Sequence, residues 1–216
     1  MFGTHDLALF IVSGLLLNIA PGPDSLLIMT RSATQGWRAG SAAALGVGAG
    51  TFVHIFAAAL GLSAVLATSA TAFAIVKYAG AAYLLWLGIR LLVAKVPTAA
   101  ADLQALAQAA GAVPLRAVFL GGFWTNVLNP KVAIFFLAFV PQFIAAEAPD
   151  KALAFILLGC IFNVNSMLWC HFLAVSSALA SRRIRVGRTL TLWVHRSIGA
   201  LFVSFGLRLA LSGRGS

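Results

Sequence analysis

Residues 7–30 read LALFIVSGLLLNIAPGPDSLLIMT, two apolar flanks around Pro21-Gly22-Pro23-Asp24. A helix crosses a bilayer with about 20 mostly apolar residues, so the run is long enough to span one. The two prolines remove backbone donors and block a continuous helix. Carbonyls of the preceding turn are thereby freed, and inside a bilayer they must meet water, ions, ligand or other protein groups. The stretch predicts a membrane helix broken near its middle. It does not read as a secretory signal. The only charge before Leu7 is Asp6, and the run passes through the break instead of ending at a small-residue cleavage site.

The rest of the chain agrees with a membrane setting. Of 216 residues, 61% are hydrophobic and 9% charged, against roughly 45–50% and about 25% in soluble domains. A soluble chain of this size needs more polar residues to cover its surface. The net charge of +10 lies mostly between apolar runs, where positive charge fixes membrane orientation rather than binding nucleic acid. Anionic lipid headgroups are a secondary partner for it. Cys160 and Cys170 sit ten residues apart in one apolar run. On a helix that is about 15 Å, too far for a disulfide, so both read as packing residues.

Six apolar segments follow: 7–30, 40–66, 70–94, 115–145, 152–180 and 190–211. The longest link is rich in Ala and Gln and carries Pro97, Gly111 and Pro114, as a connector does, with room for a short surface helix over 102–110. Three units result: 1–94, a cytoplasmic linker 95–114, and 115–216. Arg31, Arg38, Arg90, Lys95, Arg116, Arg182, Arg183, Arg185 and Arg188 hold or border alternate links. The positive-inside rule puts that side in the cytoplasm and both termini outside.

The halves resemble each other. Gly80-Ala81-Ala82-Tyr83 precedes Gly88-Ile89-Arg90-Leu91 in the third segment, and Gly199-Ala200-Leu201-Phe202 precedes Gly206-Leu207-Arg208-Leu209 in the sixth. Segments one and four are each interrupted by a proline-centred polar cluster. Three spans per half is odd, so the second copy must be inverted. The expected fold is all-α and polytopic: six transmembrane helices as two inverted three-helix repeats, with helices 1 and 4 broken. Inverted repeats with paired broken helices mark secondary transporters, whose sites form where the breaks meet.

Ionisable residues at depth are functional candidates by default. Asp24 is the only acidic residue inside a segment; Asp6, Asp102, Glu147 and Asp150 lie in the terminus or links. A carboxylate beside freed carbonyls suits an ammonium group or small cation, although a surface turn with Asp24 as a cap is the alternative. The second break, Asn126-Val127-Leu128-Asn129-Pro130-Lys131, has apolar sequence on both sides. Lys131 can offset Asp24 if the two are close, or can snorkel to an interface. Gly46, Gly50 and His54 share one helix face, where small residues allow close contact and His54 either titrates or holds a structural bond. Asn163, Asn165 and Ser166 in segment five either line the same cavity or tie helices together. His171 and His195 read as interfacial.

With these residues in view the chain resembles the LysE/RhtB family of amino-acid exporters, over essentially its whole length. The resemblance rests on Asn18-Ile19-Ala20-Pro21-Gly22-Pro23-Asp24, the glycine-rich second segment and Asn129-Pro130-Lys131. It is nearer the homoserine/threonine-exporting branch than the lysine-exporting one. It implies a multi-pass carrier of the bacterial inner membrane, driven by the proton motive force and exporting amino acids, with no cofactor and no enzymatic activity. The implied binding set is Asp24, Pro21, Gly22, Pro23, Asn129, Pro130, Lys131, His54 and Asn163. Expected partners are an amino acid, protons and the bilayer, and a homodimer is an assembly left open. A divalent-cation exporter is the alternative. Such a site gathers several carboxylate, Cys or His ligands, whereas this chain has one deep carboxylate. Motifs such as HExxH or GxSxG are absent from the sequence.

Overall fold

The computed structural model describes residues 2–62, 70–93, 113–145 and 147–180, and single residues between 196 and 211. Residues 95–112 of the expected 95–114 linker, its surface helix, the 182–188 cluster and most of the sixth segment lie outside the described residues. Helix dominates what is described, because backbone polar groups in lipid must be satisfied within the segment itself. The first span is two helices, α1 (Leu7–Ile19) and α2 (Pro23–Gln35), bent by 57° at the break. Gly36 alone joins α2 to α3 (Trp37–Ala57), and its φ of 82° is a left-handed value that glycine adopts without penalty. A π-turn, Ala58–Leu62, extends α3.

The third apolar segment forms α4 (Ala70–Val93). The fourth consists of α5 (Leu115–Val127) and α6 (Pro130–Ile134), with a 46° bend at the break. The fifth is α7 (Lys151–Ala180). Both broken pairs and, of the three unbroken helices, the stretches 37–61 and 151–179 are long and apolar enough to cross a bilayer. Helices 1 and 4 are therefore broken as the prolines require. The fourth span departs from the expected single break: a π-segment, Phe135–Phe139, and a 3-10 turn, Val140–Phe143, follow α6. Pro141 cannot donate to the carbonyl one turn back, and the ladder changes pitch around it. Gln142 Nε2 donates to the Ala138 carbonyl at 3.0 Å.

α3 is the central element, packing along α5 and α7 and against α2, while α1 and α2 lie on α7. Its glycine face explains the first of these contacts. A Cβ on Gly46 would run into the Phe119 carbonyl, one on Gly122 into that of Ala43, and one on Gly50 would lie 2.8 Å from that of Phe123. Close backbone approach of this kind stands in for the hydrophobic effect, which lipid does not supply between helices.

Two core clusters result. One is aromatic, with Phe10, Phe135, Phe139, Phe143 and Phe162; Phe135 and Phe162 have centroids 4.6 Å apart. The other is built from small residues and Ile28, Val47, Val118 and Cys170.

Two ties connect distant ends. Thr4 bridges Ile144, and Ala145 N–H donates to Gly3 at 2.8 Å. The Val113 N–H donates to Gln35 Oε1 at 3.3 Å. The N-terminus thus shares an end of the bundle with the close of span four, and the end of α2 shares one with the start of α5. The repeated glycines also meet. A Cβ on Gly88 would lie 2.7 Å from the Gly199 carbonyl oxygen, one on Gly199 2.8 Å from that of Gly88, and one on Gly206 3.0 Å from that of Ala81. That register is antiparallel.

Candidate functional site

The two breaks face each other. Pro21 has no N–H for the Leu17 carbonyl, its partner one turn earlier, so that oxygen is left open at the end of α1. Lys131 fills the gap: its Nζ donates to Leu17 O at 3.0 Å and to Ala20 O at 2.9 Å. A cation at a helix C-terminus also meets the negative end of the helix dipole. Gly22 gives the ammonium its space, since a Cβ there would lie 3.1 Å from Nζ.

Asp24 occupies the complementary place. Pro23 starts α2 and Asp24 follows in its first turn, where the dipole favours a negative charge. Its Oδ2 accepts from Asn126 Nδ2 at 3.1 Å and from Asn129 Nδ2 at 2.9 Å. Asp24 is 8% exposed and Lys131 9%, which excludes both a surface turn and a snorkelling lysine. Direct pairing is not how the charges are held. Among the described residues the only carboxylate–cation contact within 4 Å is His5–Asp6. Each buried charge is met by a helix end or by amides.

Asn129 links the two. Its Oδ1 accepts from Lys131 N–H at 3.0 Å, capping α6, while its amide serves Asp24. Asn126 is equally committed: Thr51 Oγ1 lies 3.4 Å from its Oδ1, and His54 Nε2 donates to its carbonyl at 3.0 Å. Two atoms here are left over. Asp24 Oδ1 is buried and has no hydrogen-bond partner, and neither has Asn18 Nδ2. Both residues line a cavity of ≈ 10 Å³ with Leu17, Val47, Lys131 and Phe162, about the room one water needs. It lies between the aromatic cluster, which contains Leu17 and Phe162, and the small-residue cluster, which contains Val47.

The expected residues therefore divide. Asp24, Gly22, Asn129 and Lys131 come together. Pro21, Pro23 and Pro130 act through backbone geometry, with exposed rings. His54 is one residue removed, holding Asn126. Asn163 is buried against Gly48, 3.5 Å from a Cβ there, and does not line the cavity. Asn126 belongs to the second break in sequence, but nothing there showed that its amide reaches Asp24. Asn18, Ser166 and Cys170 also border the cavity. Among the described residues no three His, Cys, Asp or Glu side chains gather as metal ligands do.

Fold and site together define a polytopic α-helical membrane protein whose broken helices bring a carboxylate and an ammonium to one buried cavity. The LysE type translocator family model matches residues 15–213. The chain is 31% identical to the leucine efflux proteins of Klebsiella pneumoniae subsp. pneumoniae and Salmonella typhimurium over 209 residues, 97% of this chain and 96% of theirs. The leucine efflux protein of Enterobacter sp. (strain 638) is 31% identical over 97% of both chains. No solved structure matches it. The chain belongs to the LysE family of translocators, and it is an amino-acid exporter of the membrane, not an enzyme.

Proposed function

We propose that this protein exports neutral aliphatic amino acids across the bacterial inner membrane by proton antiport, with Asp24 as the group that exchanges ammonium for proton. The observation that carries this reading is the buried, unpartnered Oδ1 of Asp24, a residue that lines a small cavity where two broken helices meet. One oxygen is anchored by two amides, so the carboxylate is oriented with its second lone-pair face free. A substrate ammonium or a proton satisfies that face, and one excludes the other.

The cavity is too small for an amino acid. Binding therefore needs the surrounding helices to part, first toward the cytoplasm and then outward. On the outer side, where the proton motive force supplies protons, a proton displaces the ammonium and the amino acid leaves. The protonated carrier returns and gives up its proton inside. Arginines bordering alternate links support a cytoplasmic face near Arg31, Arg38, Arg90 and Arg116, with the termini outside. The apolar lining from Leu17, Val47 and Phe162 suits an aliphatic side chain, and the relatives named as leucine efflux proteins support leucine within the neutral class.

Counterflow in proteoliposomes loaded with a panel of unlabelled amino acids tests the reading. Leucine and its aliphatic neighbours should drive uptake of labelled leucine, and an imposed pH gradient should drive net leucine movement. Counterflow without any response to the pH gradient would remove the antiport step. A panel in which no neutral amino acid exchanges would remove the substrate class.

A further inference from the structure

The polar atoms bordering the cavity are not equally committed. Asn126 on the lining, and Asn129, which bonds Asp24 without lining the cavity itself, have both ends of their amides engaged. Asp24 Oδ1 and Asn18 Nδ2 are buried with no partner. A lysine ammonium carries three donors, and two carbonyls occupy two of those on Lys131. Of the buried side-chain atoms without a partner on the lining residues, one is therefore an acceptor oxygen, on Asp24, while Asn18 and Lys131 hold N–H donors to spare.

That is the complement of a zwitterion. An α-amino acid carries its ammonium and carboxylate on one carbon, so a site must present acceptor and donors within one small space. An amide N–H can only donate, and the Asp24 oxygen, when ionised, can only accept. We propose that Asn18 Nδ2 and the remaining N–H of Lys131 form the subsite for the substrate carboxylate, opposite the Asp24 oxygen that takes the ammonium. The proposal rests on amino-acid export through this cavity and adds to it a requirement. The carried molecule must have a free carboxylate, and Asn18 reads it. Lys131 is tied to the end of α1, so its charge is already placed when the substrate arrives. Asn18 is the specificity residue of the pair, because its side chain has no structural bond to lose.

The test uses the full-length protein in proteoliposomes, with counterflow of labelled leucine competed by leucine and by leucinamide, which keeps the ammonium and side chain but has no carboxylate. Wild type should prefer leucine strongly. In Asn18→Ala the half-saturating concentration of leucine should rise about tenfold to a hundredfold, the size of one hydrogen bond to a charged group, while that of leucinamide hardly moves. Asn18→Asp, which sets an acceptor against the carboxylate, should weaken leucine further. Equal losses for both compounds in Asn18→Ala would make the residue structural and overturn the proposal. An unchanged leucine-to-leucinamide ratio would overturn it too, leaving a water on the amide. Should the variants fail to insert, wild type alone decides: equal competition by the two compounds means no carboxylate subsite. If wild type exchanges another neutral amino acid of the panel in place of leucine, that amino acid and its amide replace the leucine pair in the same test; if it exchanges none, the export reading has failed and not this addition to it.

Discussion

At both breaks a proline opens the second half-helix and an ionisable residue follows it, Pro23–Asp24 in span one and Pro130–Lys131 in span four. The surroundings differ. The span-four break is closed on itself and on its neighbours: Asn129 caps α6 with its side chain, and Asn126 is held by Thr51 and His54. The span-one break has no side-chain cap, for Gly22 stands at the capping position. It borrows an ammonium and two amides from span four, and still leaves Asp24 Oδ1 and Asn18 Nδ2 unmet. In the proposed export cycle one break is scaffold and the other is receptor. Unsatisfied buried polar groups are costly, and in that cycle a ligand replaces the missing partners of Asp24 and Asn18.

The sharpest way to break this comparison is at Asp24. Asp24→Asn keeps the size and the ability to bond the neighbouring amides while removing charge and titration. Efflux driven by a pH gradient should fall to background with abundance and membrane insertion normal, and Asp24→Glu should retain a fraction of activity. Wild-type-like proton-coupled efflux by Asp24→Asn, at matched protein content, would remove the receptor role of span one.

A smaller effect separates scaffold from receptor directly. Asn129→Ala removes the α6 cap and one charge-assisted bond to Asp24, and it should lower stability by about 1–3 kcal/mol. Asn18→Ala removes an amide with no protein partner and should leave stability within about 0.5 kcal/mol. Denaturant unfolding of the purified protein in detergent measures both. Equal losses at the two sites would erase the distinction between the breaks.

Much of this arrangement was legible in the chain. Prolines punctuating apolar runs fix both breaks, because a missing N–H has the same effect in any context. The glycine face of α3 follows from its four-residue spacing. Hydrogen-bond partners were not legible, since sequence gives the depth of Asp24 and Lys131 but not the direction of either side chain. Whether Lys131 lies close enough to Asp24 to offset it was left open by sequence; the two are anchored separately, because Pro21 leaves a carbonyl that a lysine satisfies well. Asn163 looked like a cavity residue by type and faces Gly48 instead. The irregular stretch at Phe135–Phe143 had a signal in Pro141, within a run whose apolar character masked it.

The smallest expected effect asks whether the two breaks are one electrostatic unit. Lys131 and Asp24 make no direct contact within 4 Å, yet they border one cavity and share Asn129, whose Nδ2 serves Asp24 and whose Oδ1 accepts from the Lys131 backbone. Removing either charge alone leaves the other buried without its opposite, and removing both relieves that imbalance. Asp24→Asn and Lys131→Met should therefore be non-additive in unfolding free energy, with the double variant losing less than the sum of the singles. The expected coupling is about 1 kcal/mol, toward the lower end for residues in one network. Transport is a poor readout here, because each single change can abolish it, so the cycle is measured by denaturant unfolding. Losses that add within about 0.5 kcal/mol would mean that the helix end and the amides neutralise each charge on their own. In that case the two breaks are neighbours without being partners, and Lys131 belongs to the scaffold alone.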